Sequence, residues 1–288
     1  MPSVTRYLPT LCCLIALATG VAQADEKPAK IKALLITGGC CHDYKNQTTI
    51  ISQGLSQRAN ISFDVVHEDD NRDHQVSNYT DPNWAMGYDI IVHNECYGGM
   101  TDDALIANIT NAHRNGVPGI FIHCALHSYR NATTGAEGWR ENIGVTSKRH
   151  EKKHPLKIEV LEAKHPIMTE FPNDWPVQKG ELYVIEKTWM NCQPLAQAFG
   201  VDTEQNHPVV WINKFGDTKM FGTSLGHFNE TMNNDVWLGM VTRGALWATG
   251  HLNADGTPEK GYEGTGIQPI DISLKPTPDP ISTVANNN

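Results

Sequence analysis

Residues 31–44 read IKALLITGGCCHDY, and the first nine of them decide the fold. An apolar run this short, closed by Gly38-Gly39, has no polar face and too little length for a buried helix. It is the composition of a strand covered on both sides in a parallel sheet. Outward from it, residues 46–58 read as a helix with Ile51 and Leu55 on one face. Residues 62–67 form a second strand running into an acidic loop (Glu68, Asp69, Asp70), and 88–93 (YDIIVH) a third. Thr101 is the expected N-cap of the next helix, with Asp102 and Asp103 at the positive end of its dipole. Leu105, Ile109 and Ala112 fall at helical spacing, Asn115-Gly116 ends the helix, and 119–123 is a fourth strand. Strand and helix alternate in this order, which predicts an α/β fold: an open, mostly parallel sheet with helices on both faces.

The second half is less regular. Residues 156–161, 181–186, 209–213 and 219–223 read as strands, some of them antiparallel. Asn233 is the expected cap of a final helix over 235–249, apolar nearly all round (Val236, Trp237, Met240, Val241, Ala245, Trp247) and so expected to be buried, with Gly250 closing it. The expected organisation is a leader at 1–24, a polar linker at 25–30, one domain at 31–251 and a loosely docked tail at 252–288.

Polar residues follow three of the apolar runs directly. His42 comes after ITGGCC, His123, Cys124 and His127 after GIFI, and His227 after MFGTSLG. Ligands of open α/β sheets bind outside the carboxyl ends of the strands, so these residues are expected to share one small-molecule pocket. Two chemistries fit. The imidazoles of His42, His123, His127 and His227, with Asp43, Glu95 or Glu181 as carboxylates, suit Zn²⁺ or a similar ion held by three protein ligands with an open position. Alternatively, Cys124 at a strand-to-helix corner is a nucleophile, deprotonated by His227, with Glu230 orienting the imidazole. Glu181 either reaches the cleft or pairs with Lys179. Trp139, Tyr183, Trp189 and Trp211 are candidates for sugar stacking or for the core. The basic run from Lys148 to His154 reads as a solvated loop.

A formal net charge of −9 argues against nucleic acid, whose binding usually leaves a basic footprint. At the N-terminus, Arg6, the apolar run 8–21 and Ala22-Gln23-Ala24 form the pattern of a cleavable secretory leader, with cleavage after Ala24. The apolar run is shorter than the roughly 20 residues of a permanent span. A periplasmic or secreted location is therefore expected. Beyond the leader stand Cys40, Cys41, Cys96, Cys124 and Cys192, an odd set that leaves at least one thiol unpaired. Pairing between the neighbours Cys40 and Cys41 is strained, so other partners or burial are expected for them.

Five stretches together resemble the ThuA-like (trehalose utilisation) family: GGCCHDY, GIFIHC, HPIMTEFPNDWPVQKGELY, PVVWINKFGDTKMFGTSLGH and WLGMVTRGALWATGH, spread over residues 31–251. The resemblance implies a flavodoxin-type sheet of the class I glutamine amidotransferase-like kind. It also implies a part in sugar catabolism, notably of 3-keto disaccharides or glycosides, and a bound divalent metal. His42 matches the histidine after the family's first strand, His123 the one ending the fourth, and Gly226-His227 the Leu-Gly-His signature. The related amidotransferases carry a Cys-x-Gly-His elbow and a His-x-Glu dyad. Here the elbow reads Cys124-Ala125-Leu126-His127, with Leu126 crowding the turn, and Glu230 stands one position beyond the dyad spacing. ThuA-like relatives carry a small residue at the position of Cys124.

The expectation is thus a secreted enzyme acting on a sugar or (3-keto)glycoside through a histidine-rich cleft. His42, His123 and His227 are the expected metal ligands, and His123, His227, His127 and Cys124 the expected catalytic residues. Glu181, Tyr183, Glu230 and Asp43 are the expected substrate contacts. The cofactor is a divalent metal such as zinc and not a nucleotide. The partner is a small carbohydrate, with no nucleic acid, no membrane in the mature form, and self-association left open. A Cys124-His227 thiol hydrolase and a non-catalytic sugar-binding protein remain the alternatives.

Overall fold

The strand β1 (Ile31–Gly39) sends alternate side chains into two separate hydrophobic layers, as a strand buried on both faces must. Ala33 and Leu35 pack with Ile50, Ile51 and Leu55 of α1 (Tyr44–Arg58) and with Trp237, Met240 and Val241 of α5 (Asp235–Thr249). Leu34 and Ile36 face the other way, toward Leu105, Ile106 and Ile109 of α2 (Asp103–Arg114) and Trp139 and Ile143 of α3 (Gly135–Ile143). The computed structural model describes residues 1–3, 30–68 and 71–272, so the expected leader and linker fall almost wholly outside the described residues.

The remaining strands are β2 (Ile61–Glu68), β3 (Ile90–Cys96), β4 (Gly119–Ile122), β5 (Val145–His150), β6 (His154–Val160), β7 (Trp175–Gly180), β8 (Tyr183–Thr188), β9 (Gln193–Gly200), β10 (Gln205–Phe215) and β11 (Thr218–Thr223). A short helix, α4 (Asn229–Met232), precedes α5. Nine of the strands form one sheet in the order β2-β1-β3-β4-β11-β10-β9-β6-β7, while β5 and β8 pair apart from it. The first five strands are parallel. Their order is the 2-1-3-4-5 of flavodoxin-like sheets, with β11 in fifth place. From β10 to β7 every pairing is antiparallel. The fold is the expected α/β class, with its antiparallel half in the second part of the chain.

Several local expectations need correction. Asp102, not Thr101, caps α2, because its carboxylate reaches the N–H groups of Ala104 and Leu105 at 3.0 and 3.1 Å. Asn234, not Asn233, caps α5 by accepting from Val236 N–H. The basic run at 148–154 is a loop only at 151–153: its ends are the last residues of β5 and the first of β6. The strand expected to begin at Glu181 begins at Tyr183, which leaves Glu181 in the turn after β7, free of the ladder. Residues 252–272 follow a defined course, with Tyr262 C=O accepting from Asn60 N–H and the Tyr262 ring stacked on His251 at 3.7 Å.

One buried polar network lies beneath the sheet. His113 donates from Nδ1 to the Val117 carbonyl at 2.7 Å, so its Nε2 must accept from His93 Nε2 at 2.9 Å. A single proton then lies between His93 Nδ1 and Glu95 Oε1, 2.8 Å apart, and Tyr79 donates to the same oxygen. Glu95 is fully buried here, so it is not a ligand of the cleft. Burial, with His93 adding to it, pushes the His113 imidazole down to about 3. In an unfolded chain the group titrates near 6.5. Below that pH the unfolded chain takes up a proton at this ring and the folded chain does not. The group therefore removes stability progressively as pH falls from about 6.5 toward 3. Urea midpoints measured across this window are expected to fall more steeply for the native protein than for His113→Gln; parallel slopes would contradict the assignment.

Candidate functional site

The carboxyl ends of β1, β4 and β11 meet at one cavity. At the end of β1, Gly38 and Gly39 have φ of +126° and +92°, and a Cβ on them would strike the carbonyls of Glu68 and Cys96. Glycine is required there by the close passage of neighbouring backbone as well as by the left-handed conformation. The chain then turns through Cys40 and Cys41 (φ +86°) and delivers His42 just ahead of α1. At the end of β4, His123 takes φ +46°, an uncommon conformation for a residue with a Cβ. Beyond β11, Gly226 (φ +125°) turns the chain so that His227 faces the same place.

The hydrogen bonds behind these rings fix where their lone pairs point. Tyr44 gives its hydroxyl proton to the Cys40 carbonyl at 2.9 Å, so its oxygen accepts from His42 Nδ1 at 3.2 Å. His42 Nε2 is thereby left unprotonated, 3.0 Å from His227 Nδ1. His123 donates from Nδ1 to the Ser224 carbonyl at 2.6 Å. Its Nε2 lone pair then faces Glu181 Oε2 at 3.3 Å, and His227 Nδ1 lies 3.2 Å from the same oxygen. One donor atom from each of His42, His123, His227 and Glu181 falls within 4.8 Å of the other three.

Burial drives the charges of this cluster. It holds the His42 imidazole well below its ordinary value, with His123 and His227 adding to the effect. His227 is lowered for the same first reason, against the opposing hydrogen bond that Glu181 accepts from it. For Glu181, burial pushes the carboxyl up, but contact with His123 and His227 outweighs it and the group ends far below the usual carboxylate range. The result is two neutral imidazoles, His42 and His227, beside a carboxylate near neutral pH. Glu181 Oε1 and His123 Nε2 are both buried and have no hydrogen-bond partner. Buried polar atoms left without a partner are costly unless a proton or a cation reaches them.

A cavity of about 120 Å³ opens on this cluster and is lined also by Tyr183, His127, His150, Arg72 and Arg130. Its size suits a small molecule or one end of a larger one. Tyr183 stacks flat on His127 at 4.0 Å. Ser147 gives its proton to the Arg149 carbonyl, so His127 donates to Ser147 from Nε2 at 3.0 Å, keeping the Nδ1 lone pair.

His42, His123, His227, His127, Glu181 and Tyr183 are thus brought together from four separate stretches of chain. Other expected site residues are placed differently. Asp43 caps α1 and holds Asn229 Nδ2 at 2.9 Å, tying the end of β1 to α4 rather than facing the cavity. Glu230 is exposed and lines a separate groove of about 440 Å³ with Phe228, Trp175 and Lys179. Trp139 and Trp211 are core residues that donate to the Ala125 and Ile143 carbonyls, and Trp189 carries Lys187 on its face. Cys124 is bonded to Cys96, and Cys40 to Cys41, the neighbour pairing that strain had argued against. Both stand in the four-residue turn between β1 and α1. The leftover thiol is Cys192, raised to about 12 by burial. Arg72, Arg130 and His150 were not anticipated; only the placing of His150 in a basic run marked it.

An α/β protein with a flavodoxin-like parallel sheet and a histidine–carboxylate cluster at the strand ends is what fold and site define together. The ThuA family model, described as trehalose utilisation, matches residues 32–248, and the chain belongs to that family. A search of curated proteins finds no match. Among solved structures, a ThuA-like protein from Parabacteroides merdae superposes with a TM-score of 0.63 at 19% identity, covering 82% of this chain and 98% of that one. A ThuA-like protein from Bacteroides uniformis does so with 0.58 at 14% identity, covering 83% and 98%. A β-galactosidase from Rahnella sp. R3 gives 0.50 at 14% identity over 75% of this chain, but only 31% of its own.

Proposed function

We propose that this ThuA-family protein is a secreted or periplasmic enzyme acting on a sugar or 3-keto glycoside, with a divalent cation of the zinc type at the His42–His123–Glu181–His227 cluster. The observation that carries the reading is a pair of buried polar atoms without a hydrogen-bond partner, His123 Nε2 and Glu181 Oε1, with Glu181 Oε2 3.3 Å from that same nitrogen. Zn²⁺ with ligands at about 2.0–2.1 Å and tetrahedral angles has donor–donor edges of roughly 3.3 Å. Three of the separations among these four residues, 3.0, 3.2 and 3.3 Å, fit that spacing. Tyr44 and the Ser224 carbonyl hold the His42 and His123 rings in the tautomers a cation requires, the usual task of groups behind metal-binding histidines.

A bound divalent cation supplies Lewis acidity toward a sugar carbonyl or hydroxyl. The protein's own groups do the rest. Glu181 Oε1 and His127 Nδ1 offer lone pairs beside the cluster for accepting a substrate proton. Tyr183 and His127 present a flat stacked wall to a ring. Arg72 and Arg130 give the cavity a positive lining that orients oxygen-rich ligands. The Cys124–His227 hydrolase reading is set aside, because Cys124 Sγ is bonded to Cys96 and His227 Nδ1 is turned to His42 and Glu181.

The test is metal analysis of the purified mature protein followed by turnover of a panel of disaccharides, glycosides and their 3-keto forms, with and without chelator. About one zinc-type ion per chain and chelator-sensitive turnover of a keto-glycoside are expected. Sugar binding without turnover by metal-loaded protein would replace the enzyme with a binding protein, and no metal uptake at all would end the cation assignment.

A further inference from the structure

We propose that the four cysteines beside the cluster form a thiol–disulfide exchange centre, in which an external dithiol reduces Cys40–Cys41 and Cys40 then opens Cys96–Cys124. The inference is independent of the metal reading and rests on the placing of four sulfurs that the proposed sugar chemistry does not use.

The two disulfides lie against each other. Cys40 is bonded to Cys41 and Cys96 to Cys124, and Cys40 Sγ stands 3.9 Å from Cys96 Sγ. All four residues line the cavity, but unequally. Cys40 and Cys41 are half-buried on the turn, whereas Cys96 and Cys124 are 4% and 7% exposed. A reductant entering from solvent therefore meets Cys40–Cys41 first, and the inner pair is reached through it.

The exchange balances. The external dithiol loses two electrons and becomes a disulfide, leaving Cys40 and Cys41 as thiols. Cys40 Sγ gives up its proton and attacks Cys96 Sγ. The Cys40–Cys96 bond forms, the Cys96–Cys124 bond breaks, and the electron pair leaves on Cys124 Sγ, which takes up a proton. Cys41 then attacks Cys40 Sγ in the same way, restoring Cys40–Cys41 and releasing Cys96 as a thiol. Exchange of this kind proceeds through mixed disulfides and is governed by access. Its consequence is local. Cys96 ends β3, and Cys124 follows His123, so the inner disulfide ties the β3 and β4 ends together at the corner that presents His123.

The sequence makes the exchange readable, because cleavage after Lys and Arg puts Cys40, Cys96 and Cys124 on three different peptides (33–45, 73–114 and 115–130). In Cys41→Ser, Cys40 has no neighbour to pair with. The oxidised protein, alkylated with iodoacetamide and digested without reduction, is expected to contain the 33–45/73–114 cross-linked pair with Cys124 alkylated. Finding Cys96–Cys124 intact with Cys40 alkylated would overturn the proposal. A second measurement needs no folded Cys41→Ser protein. In native protein under graded dithiothreitol, the rate at which Cys96–Cys124 opens is read by alkylation of Cys96 and Cys124. In Cys40→Ser/Cys41→Ser, opening of Cys96–Cys124 is expected to slow at least tenfold. An unchanged rate of opening in the double variant would refute it.

Discussion

The His42→Ala/His227→Ala protein is expected to bind Zn²⁺ at least tenfold more weakly than the native protein, a loss of about 1.4 kcal/mol or more. The two rings supply Nε2 and Nδ1 only 3.0 Å apart on the open side of the cluster, and both are kept neutral by burial. Alanine removes two of four donors and leaves Glu181 and His123 facing water-sized gaps. Calorimetric titration of chelator-treated protein with Zn²⁺ reads the change, with far-UV circular dichroism as the check that the fold is kept. Native affinity in the folded double variant would place the cation elsewhere or nowhere.

The second large effect concerns stability, away from the cavity. Glu95→Ala is expected to lower the unfolding free energy by about 3–5 kcal/mol, the range found when one partner of a buried ionic pair is removed. Glu95 Oε1 shares a proton with His93 Nδ1 and accepts from Tyr79, and His93 is in turn committed to His113. Without the carboxylate, His93 Nδ1 and the Tyr79 hydroxyl are left in a fully buried space beside Phe121, Trp139 and Trp84. Urea denaturation followed by tryptophan fluorescence measures the loss. A change under about 1 kcal/mol would mean that water or repacking replaces the carboxylate, and that the network contributes little.

Much of the site was legible because strand ends are legible. An apolar run that stops at His42, His123 or His227 says where the backbone leaves the sheet, and in an open α/β fold those exits share one edge. Glu181 was harder, since only the start of β8 two residues later than expected frees it from pairing. Glu95 misled for a related reason. It also follows a strand core, but side chains of a strand alternate between faces, and its face is the one under α2 and α3. Trp139 and Trp211 carry no mark in sequence that separates a stacking platform from core. Asp43 and Glu230 stand beside site histidines in sequence, yet one is spent on a helix cap and the other points into a different groove.

What the residues determined alone is the β–α–β alternation of the first half, the final helix at 235–249, and the gathering of three histidines at one edge. These follow from local periodicity and from a rule about where open sheets bind ligands. Tertiary structure decided the rest: the antiparallel order from β10 to β7, the pairing of the four cysteines, the orientation of each imidazole, and the role of Glu181. Those depend on contacts between residues tens to hundreds of positions apart. Such contacts are set by which faces pack together, and no local pattern in a single chain encodes them.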